Sequence, residues 1–90
     1  MLLSPPPVST RQEIEEWLEA VDATAIFYQG LDSAIIGLSE DKGTFRVCYR
    51  VHLCYEALMN DGMSYKDAVE WFEYNIYNSY MGESTPIFVI

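Results

Sequence analysis

The chain has 90 residues, half of them apolar, which is enough for one small domain and too few for two separate cores. Fourteen acidic residues against five basic ones give a net charge of −9, which disfavours direct contact with nucleic acid or with an anionic membrane surface. Residues 1–8 include three consecutive prolines and are expected to form a flexible arm, followed by a single domain over residues 9–90.

The first predicted element is an acidic amphipathic helix. Thr10 and Glu13 have the spacing of a capping box, in which each side chain bonds the backbone of the other residue. Apolar residues then recur three and four positions apart and predict a helix over Arg11–Asp22 with one buried stripe. Three glutamates fall outside that stripe and predict an acidic surface, namely Glu15, Glu16 and Glu19.

Three strands are predicted after this helix. Ala25–Tyr28 and Ser33–Leu38 are apolar and flank a turn at Gln29–Asp32, which contains a glycine and an aspartate. Apolar and polar residues alternate over Thr44–Tyr49, which predicts a strand with one buried face after a loop at Ser39–Gly43. These three strands are expected to form an antiparallel meander.

Two more helices and a last strand complete the predicted order. A helical period from about Arg50 ends near Gly62, and Ser64 is the cap of a third helix expected to continue to about Met81. Ile87–Ile90 is unbroken apolar sequence, which is typical of a strand inside a sheet. The order α-β-β-β-α-α-β predicts an α+β domain, with a four-stranded, mainly antiparallel sheet covered by helices on one face.

The same reasoning predicts self-association. The predicted strands carry apolar residues on both faces, and the helices of so short a chain can hardly cover both sides of a sheet. We therefore expect a homodimer that forms through the open sheet face or through the last strand.

Few residues are arranged for chemistry. Cys48, His52 and Cys54 are the soft-ligand cluster of the sequence, but zinc takes about four ligands and these three span a strand-to-helix junction. His52 lies two residues from Cys54 and would point away from it on a helix, and no glycine-rich phosphate loop is present. We expect no enzyme activity, no cofactor and no metal. No signal peptide or apolar span of about 20 residues is visible, which predicts a cytoplasmic protein.

The third helix contains more aromatic residues than one buried stripe can hold, so some must be exposed. Exposed aromatic residues ringed by acids are typical of protein-binding surfaces, although packing in a dimer explains them equally well. Asn75 borders the buried stripe, and a half-buried amide needs hydrogen-bond partners. Its side chain is expected to bond the Gly30–Asp32 turn or the Gly82–Pro86 crossing. The alternative is that Asn75 and these two loops line a small polar pocket. The candidate binding residues are Asp32, Asn75, Tyr77, Tyr80, Glu83 and Thr85.

Several segments between Phe27 and Phe88 carry a resemblance to known sequences. They read GLDSAIIG at 30–37, YEALM at 55–59 and DGMSY at 61–65, then Ala68, Phe72-Glu73 and Asn75, and finally YMGESTPIF at 80–88. With this pattern the chain resembles a family of small, mostly uncharacterised proteins encoded by bacteriophages and prophages. The resemblance implies a phage accessory protein that acts in a bacterial cytoplasm, and it brings no established activity or functional residue.

Three functions are consistent with the sequence. The favoured one is a non-enzymatic protein that binds a host macromolecule, such as a basic protein, through an acidic and aromatic surface. Its acidity also permits mimicry of DNA, which would inhibit a host nucleic-acid-binding or defence protein. The alternatives are a dimer that binds a metabolite or nucleotide in loops around Asp32, Asn75 and Thr85, and a structural or assembly subunit.

Overall fold

A computed structural model of the protein describes residues 10–77 and 79–90, so the predicted arm over residues 1–8 lies outside the described residues. The described chain contains α1 (Arg11–Ala20), β1 (Ile35–Asp41), β2 (Thr44–Arg50), α2 (Val51–Asn60), α3 (Tyr65–Phe72) and β3 (Ile87–Val89). A short 3-10 turn at Asp32–Ala34 precedes β1, and a π-helical turn at Glu73–Tyr77 continues α3. The predicted α+β class is confirmed.

The sheet is mixed and has the order β1-β2-β3. β1 and β2 form the predicted antiparallel hairpin, whereas β3 lies parallel to β2, with Phe88 opposite Tyr49. A parallel neighbour requires a crossover connection, and α2 and α3 provide it. β3 is consequently an edge strand among the described residues and does not lie inside the sheet as predicted.

One of the four predicted strands, the first in chain order, is not confirmed, because Ala25–Tyr28 forms no strand. Ala25, Phe27 and Tyr28 pack against the core, and the backbone N–H of Tyr28 donates to the phenol oxygen of Tyr49 at 2.8 Å. A side chain here supplies the partner that a neighbouring strand would otherwise provide. Among the described residues the order is therefore α-β-β-α-α-β, with one antiparallel and one parallel strand pairing.

The β1–β2 hairpin is tighter and longer than predicted. β1 begins at Ile35 and continues to Asp41, because Ser39, Glu40 and Asp41 all pair with residues of β2. Lys42 and Gly43 have φ angles of +52° and +84°, as a two-residue hairpin turn of the type I′ class requires. A register shift between Ile35 and Gly37 marks a bulge near the start of the strand.

The core lies between the helices and one face of this sheet. Trp17 of α1 meets Phe45 edge-on at 5.3 Å between ring centroids, and Phe72 of α3 meets Phe88 at 5.2 Å. Phe45 and Phe88 share one face of the sheet because side chains alternate along strands and Phe88 is paired with Tyr49. The fully or almost fully buried residues include Ile14, Leu18, Leu31, Ala34, Val47, Tyr49, Cys54, Leu58, Ala68, Phe72 and Ile76.

Two of the helices begin at the predicted caps. Thr10 and Glu13 make both bonds of the capping box, at 3.2 and 3.1 Å, and the hydroxyl of Ser64 accepts the N–H of Asp67 at 3.1 Å. The α-helical geometry of α3 ends at Phe72 and does not reach Met81, because the chain widens into the π turn. No helix within the described ranges has the length and apolar character needed to cross a bilayer.

Candidate functional site

The π turn that follows α3 changes the direction of the side chains after Phe72. Nδ2 of Asn75 donates to the carbonyl oxygen of Trp71 at 2.9 Å, which is the oxygen that the Asn75 N–H would bond in a regular α-helix. After the turn, the N–H and the hydroxyl of Ser79 donate to the carbonyl oxygen of Ile76 at 3.0 and 2.7 Å. Because π turns are rare and recur at functional sites, this segment is the first place to look for a site.

A groove with a volume of about 310 Å³ lies beside this turn, between α2, the end of α3 and the residue after β3. It is called the aromatic groove below, and its lining residues are Val51, His52, Tyr55, Phe72, Glu73, Tyr77 and Ile90. Glu73 and Tyr77 both belong to the π turn, so the turn contributes a carboxylate and a ring. The volume is at the lower end of the range for ligand sites, about 300–1,000 Å³, which suits a single large side chain.

The floor of the groove is continuous with the core. The buried ring of Phe72 lies edge-on to Tyr55 at 5.5 Å and to Phe88 at 5.2 Å, and 6.0 Å from Tyr77. Phe88 is stacked on Tyr49 at 5.8 Å, so ring contacts lead from the groove to the central strand. Packed rings lose little further freedom when a ligand arrives, and the groove is therefore preformed.

The charge around the groove is negative. Glu73 is exposed at its wall, and the described lining residues include no lysine or arginine. Oε2 of Glu56 lies 4.0 Å from Nε2 of His52. Burial raises the pKa of the Tyr55 phenol, and the nearby Glu73 carboxylate adds to that rise because it repels a phenolate. The groove thus combines apolar and aromatic walls with a carboxylate, which is complementary to a cation.

Five exposed aromatic residues lie in the same part of the chain. They are called the aromatic strip below and are Tyr65, Trp71, Tyr74, Tyr77 and Tyr80. Tyr74 and Tyr80 are 90 % and 80 % exposed, and Trp71 is 41 % exposed. Exposed apolar patches mark interaction surfaces, and in the sequence the exposed acids Asp67, Glu70 and Glu73 lie between these aromatic residues.

Three of the six candidate binding residues make hydrogen bonds within the fold. Thr85 is buried, where its hydroxyl accepts the N–H of Met81 and donates to the carbonyl oxygen of Gly82, both at 2.7 Å. Asp32 is exposed and accepts from Nη1 of Arg11 at 3.3 Å. Asn75 was expected to be half-buried and tied to a distant loop, but it is exposed and donates within its own turn because the π geometry turns it outward.

The other three candidate residues lie on two surfaces. Tyr77 and Tyr80 belong to the aromatic strip, and Tyr77 also lines the aromatic groove. Glu83 is exposed beside a shallow depression whose other lining residues include Asp41 and Arg46. The prediction missed Tyr55 and Glu73 as groove residues, since no local pattern signals that α2 and the π turn meet.

The acidic surface predicted on α1 is a solvated helix face. Glu15 accepts from Nε of Arg11 at 3.2 Å and Glu16 accepts from Nε2 of Gln12 at 3.3 Å, while Glu19 is exposed. Arg11 also lies over the ring of Phe27, 4.8 Å from its centroid. These contacts stabilise the helix and the segment after it.

The cysteines and the histidine lie in different surroundings. Cys54 is fully buried in the core, Cys48 is half-buried on β2, and His52 is exposed on α2. Burial raises the pKa of the Cys54 thiol to about 12 and also raises that of Cys48. Across the described ranges, no group of three or more His, Cys, Asp and Glu residues is placed to hold a metal ion.

Comparison of the chain with protein-family models, with curated proteins and with solved structures found no match.

Proposed function

We propose that this protein is a non-enzymatic binding module that engages a basic protein partner through the aromatic strip and the acids beside it. The observation that carries the proposal is the exposure of Tyr74 and Tyr80, at 90 % and 80 %, within an acidic segment. Tyrosine and tryptophan supply much of the binding energy in protein interfaces because each buries a large ring at little entropic cost. Five such residues over positions 65–80 exceed what the fold needs for its core.

Charge defines the partner that this surface fits. Asp67, Glu70 and Glu73 lie among the rings, Lys66 is the basic residue of the segment, and the whole chain has a net charge of −9. A field of this sign attracts basic surfaces and speeds their association, whereas it repels phosphate-rich ligands. A partner with a basic face, such as a nucleic-acid-binding protein, is therefore favoured over nucleic acid itself.

The resemblance to phage-encoded proteins supports a bacterial host protein as the partner and the host cytoplasm as the site of action. A protein that occupies the basic face of a host nucleic-acid-binding or defence protein would inhibit it by competing with the nucleic acid.

Self-association is part of the proposal. β3 pairs on one side with β2 and forms an edge of the described sheet, and Val89 and Ile90 are 36 % and 93 % exposed. An apolar strand edge is a template for a second copy of the chain. We expect light scattering to report a dimer, and Val89→Lys to give a monomer because a charge at the edge opposes pairing. A monomer from the unaltered chain at tens of micromolar would remove this part of the proposal.

The partner-binding proposal is tested by native mass spectrometry of the tagged protein, isolated gently from bacterial lysate. We expect a complex with a host protein that weakens as salt is raised and is lost in the Tyr74→Ser/Tyr80→Ser double variant. Both tyrosines are highly exposed, so the variant keeps its fold. The matched control is Glu15→Gln/Glu19→Gln on α1, which should retain the complex. A bare dimer would instead favour a structural subunit, and an added small mass would favour a small-molecule binder.

A further inference from the structure

We propose that the aromatic groove is an arginine-binding pocket, in which an arginine side chain of the partner lies against the rings of Tyr55 and Tyr77 and pairs with the carboxylate of Glu73. This inference rests on the proposed function and deepens it, because it names the residue of the basic partner that enters the groove. The aromatic strip would then supply the surrounding contact, with Tyr77 shared between the two surfaces.

The lining residues match the two parts of an arginine side chain. Val51, Phe72 and Ile90 offer apolar surface to its three methylene groups. Tyr55 and Tyr77 contribute rings to the lining, and a planar guanidinium stacks on aromatic rings and is less strongly hydrated than an ammonium group. Glu73 offers the carboxylate, with which a guanidinium can form two parallel hydrogen bonds.

The same chain already contains this combination within itself. The guanidinium of Arg11 lies 4.8 Å from the centroid of the Phe27 ring, and its Nη1 donates to Oδ1 of Asp32 at 3.3 Å. An aromatic face and a carboxylate therefore bind an arginine side chain in one place on this surface. The aromatic groove presents the same two elements around a cavity of about 310 Å³.

Other occupants fit the groove less well. A phosphate or carboxylate ligand would be repelled by Glu73, and none of the lining residues that the structure describes is a lysine or arginine that would offset the repulsion. A purely apolar side chain would use the rings and the apolar lining of the groove but not the negative charge of Glu73. A lysine would satisfy the charge, but its ammonium group cannot stack on the rings or form a bidentate pair.

The test is an NMR titration of the full chain with Nα-acetyl-arginine amide, and with the lysine and leucine analogues as comparisons. We expect saturable shifts of the Tyr55 and Tyr77 ring signals with a dissociation constant on the order of 1 mM, since the probe is small. The lysine analogue should bind several-fold more weakly, and the leucine analogue should not saturate the site.

Two pairs of variants separate the pocket from the general negative charge. Glu73→Gln should weaken binding about tenfold through loss of the charged pair, whereas Glu70→Gln removes the same charge outside the groove and should change it by less than about twofold. Tyr77→Leu should weaken binding, whereas Tyr74→Leu should not. Thermal unfolding of each variant shows that the fold is retained.

Equal losses for Glu73→Gln and Glu70→Gln, or equal binding of the arginine and lysine analogues, would overturn the inference. Its failure can be told apart from failure of the proposed function. If the probe does not bind while the host complex depends on Tyr74 and Tyr80, the strip functions without an arginine pocket. If the probe binds and no complex is found, the pocket exists and the proposed partner binding is wrong.

Discussion

Helix α1 and the segment 65–80 are both acidic, yet they treat their apolar residues in opposite ways. In α1, Ile14 and Leu18 are buried and the exposed face contains charged groups with local partners, such as Glu15 with Arg11. In segment 65–80, Phe72 and Ile76 are buried, but five further aromatic residues stay exposed among the acids. The two surfaces therefore share a charge and differ in the apolar area that a partner could cover.

This difference shows why acidity by itself says little about binding. Exposed ion pairs contribute about 0–1 kcal/mol each, because water screens them and the side chains lose freedom. Exposed rings have large areas to remove from water when a partner arrives, at roughly 25 cal/mol per Å². We assign the binding role to segment 65–80 on this ground, and treat α1 as a source of long-range attraction.

The largest expected effect separates the buried and the exposed rings of segment 65–80. Phe72→Ala removes a fully buried ring that contacts Tyr55, Tyr77 and Phe88, and should lower the free energy of unfolding by about 3–5 kcal/mol. Tyr74→Ala, at a ring that is 90 % exposed, should change it by less than about 0.5 kcal/mol. Urea unfolding measures both. Similar losses for the two variants would show that the exposed rings are part of the core.

Alkaline pH should destabilise the buried part of the aromatic series. Burial raises the pKa of Tyr49 from 10.0 to about 12, so at pH values below 10 the phenol is protonated in both the folded and unfolded states. As pH rises through this window the unfolded chain loses the proton first, and the stability falls by on the order of 2 kcal/mol by about pH 12. Burial also raises the pKa of the Cys54 thiol from its ordinary value of 9.0, so Cys54 adds to the loss of stability as the pH rises above 9.

Urea unfolding at a series of pH values measures this loss, with Tyr49→Phe as the comparison. The variant is less stable at neutral pH, because the Tyr28 N–H loses its acceptor, but its stability should fall less between about pH 10 and 12. A parallel decline in both proteins would assign the effect to other groups.

Binding of the captured partner should distinguish the two acidic surfaces. Tyr74→Ser/Tyr80→Ser should weaken binding at least about tenfold, chiefly through faster dissociation. Glu15→Gln/Glu16→Gln/Glu19→Gln should slow association a few-fold and flatten its salt dependence, with little change in dissociation. Surface plasmon resonance at two salt concentrations separates these rates. If the glutamine variant dissociated faster, α1 would itself be part of the interface.

The smallest expected effect compares the two helix caps. Thr10→Ala and Ser64→Ala each remove a side-chain acceptor of a helix N–H and should cost about 1 kcal/mol of stability. Only Ser64→Ala should also weaken partner binding, because it loosens the start of the helix that carries the aromatic strip. Thermal unfolding and the binding assay together test this, and equal binding by both variants would show that the strip does not depend on its cap.

The sequence by itself determined the features that depend on near neighbours. The caps at Thr10 and Ser64 are bonds between residues three positions apart, and the alternation in Thr44–Tyr49 reflects the pleat of a single strand. The sequence also predicts the α+β class, the hairpin and the surplus of aromatic residues from Tyr65 onward. Each of these can be read from the period and composition of short stretches of sequence.

Only the tertiary structure decided the features that depend on remote residues. Ala25–Tyr28 has the composition of a strand but forms none, and the Tyr28 N–H instead donates to the Tyr49 phenol, 21 positions away. The aromatic groove likewise joins Tyr55 of α2 to Glu73 and Ile90, whose meeting no local pattern encodes. Local hydrogen bonds and periodicity are written in short stretches of sequence, whereas a groove exists only where separate elements pack together.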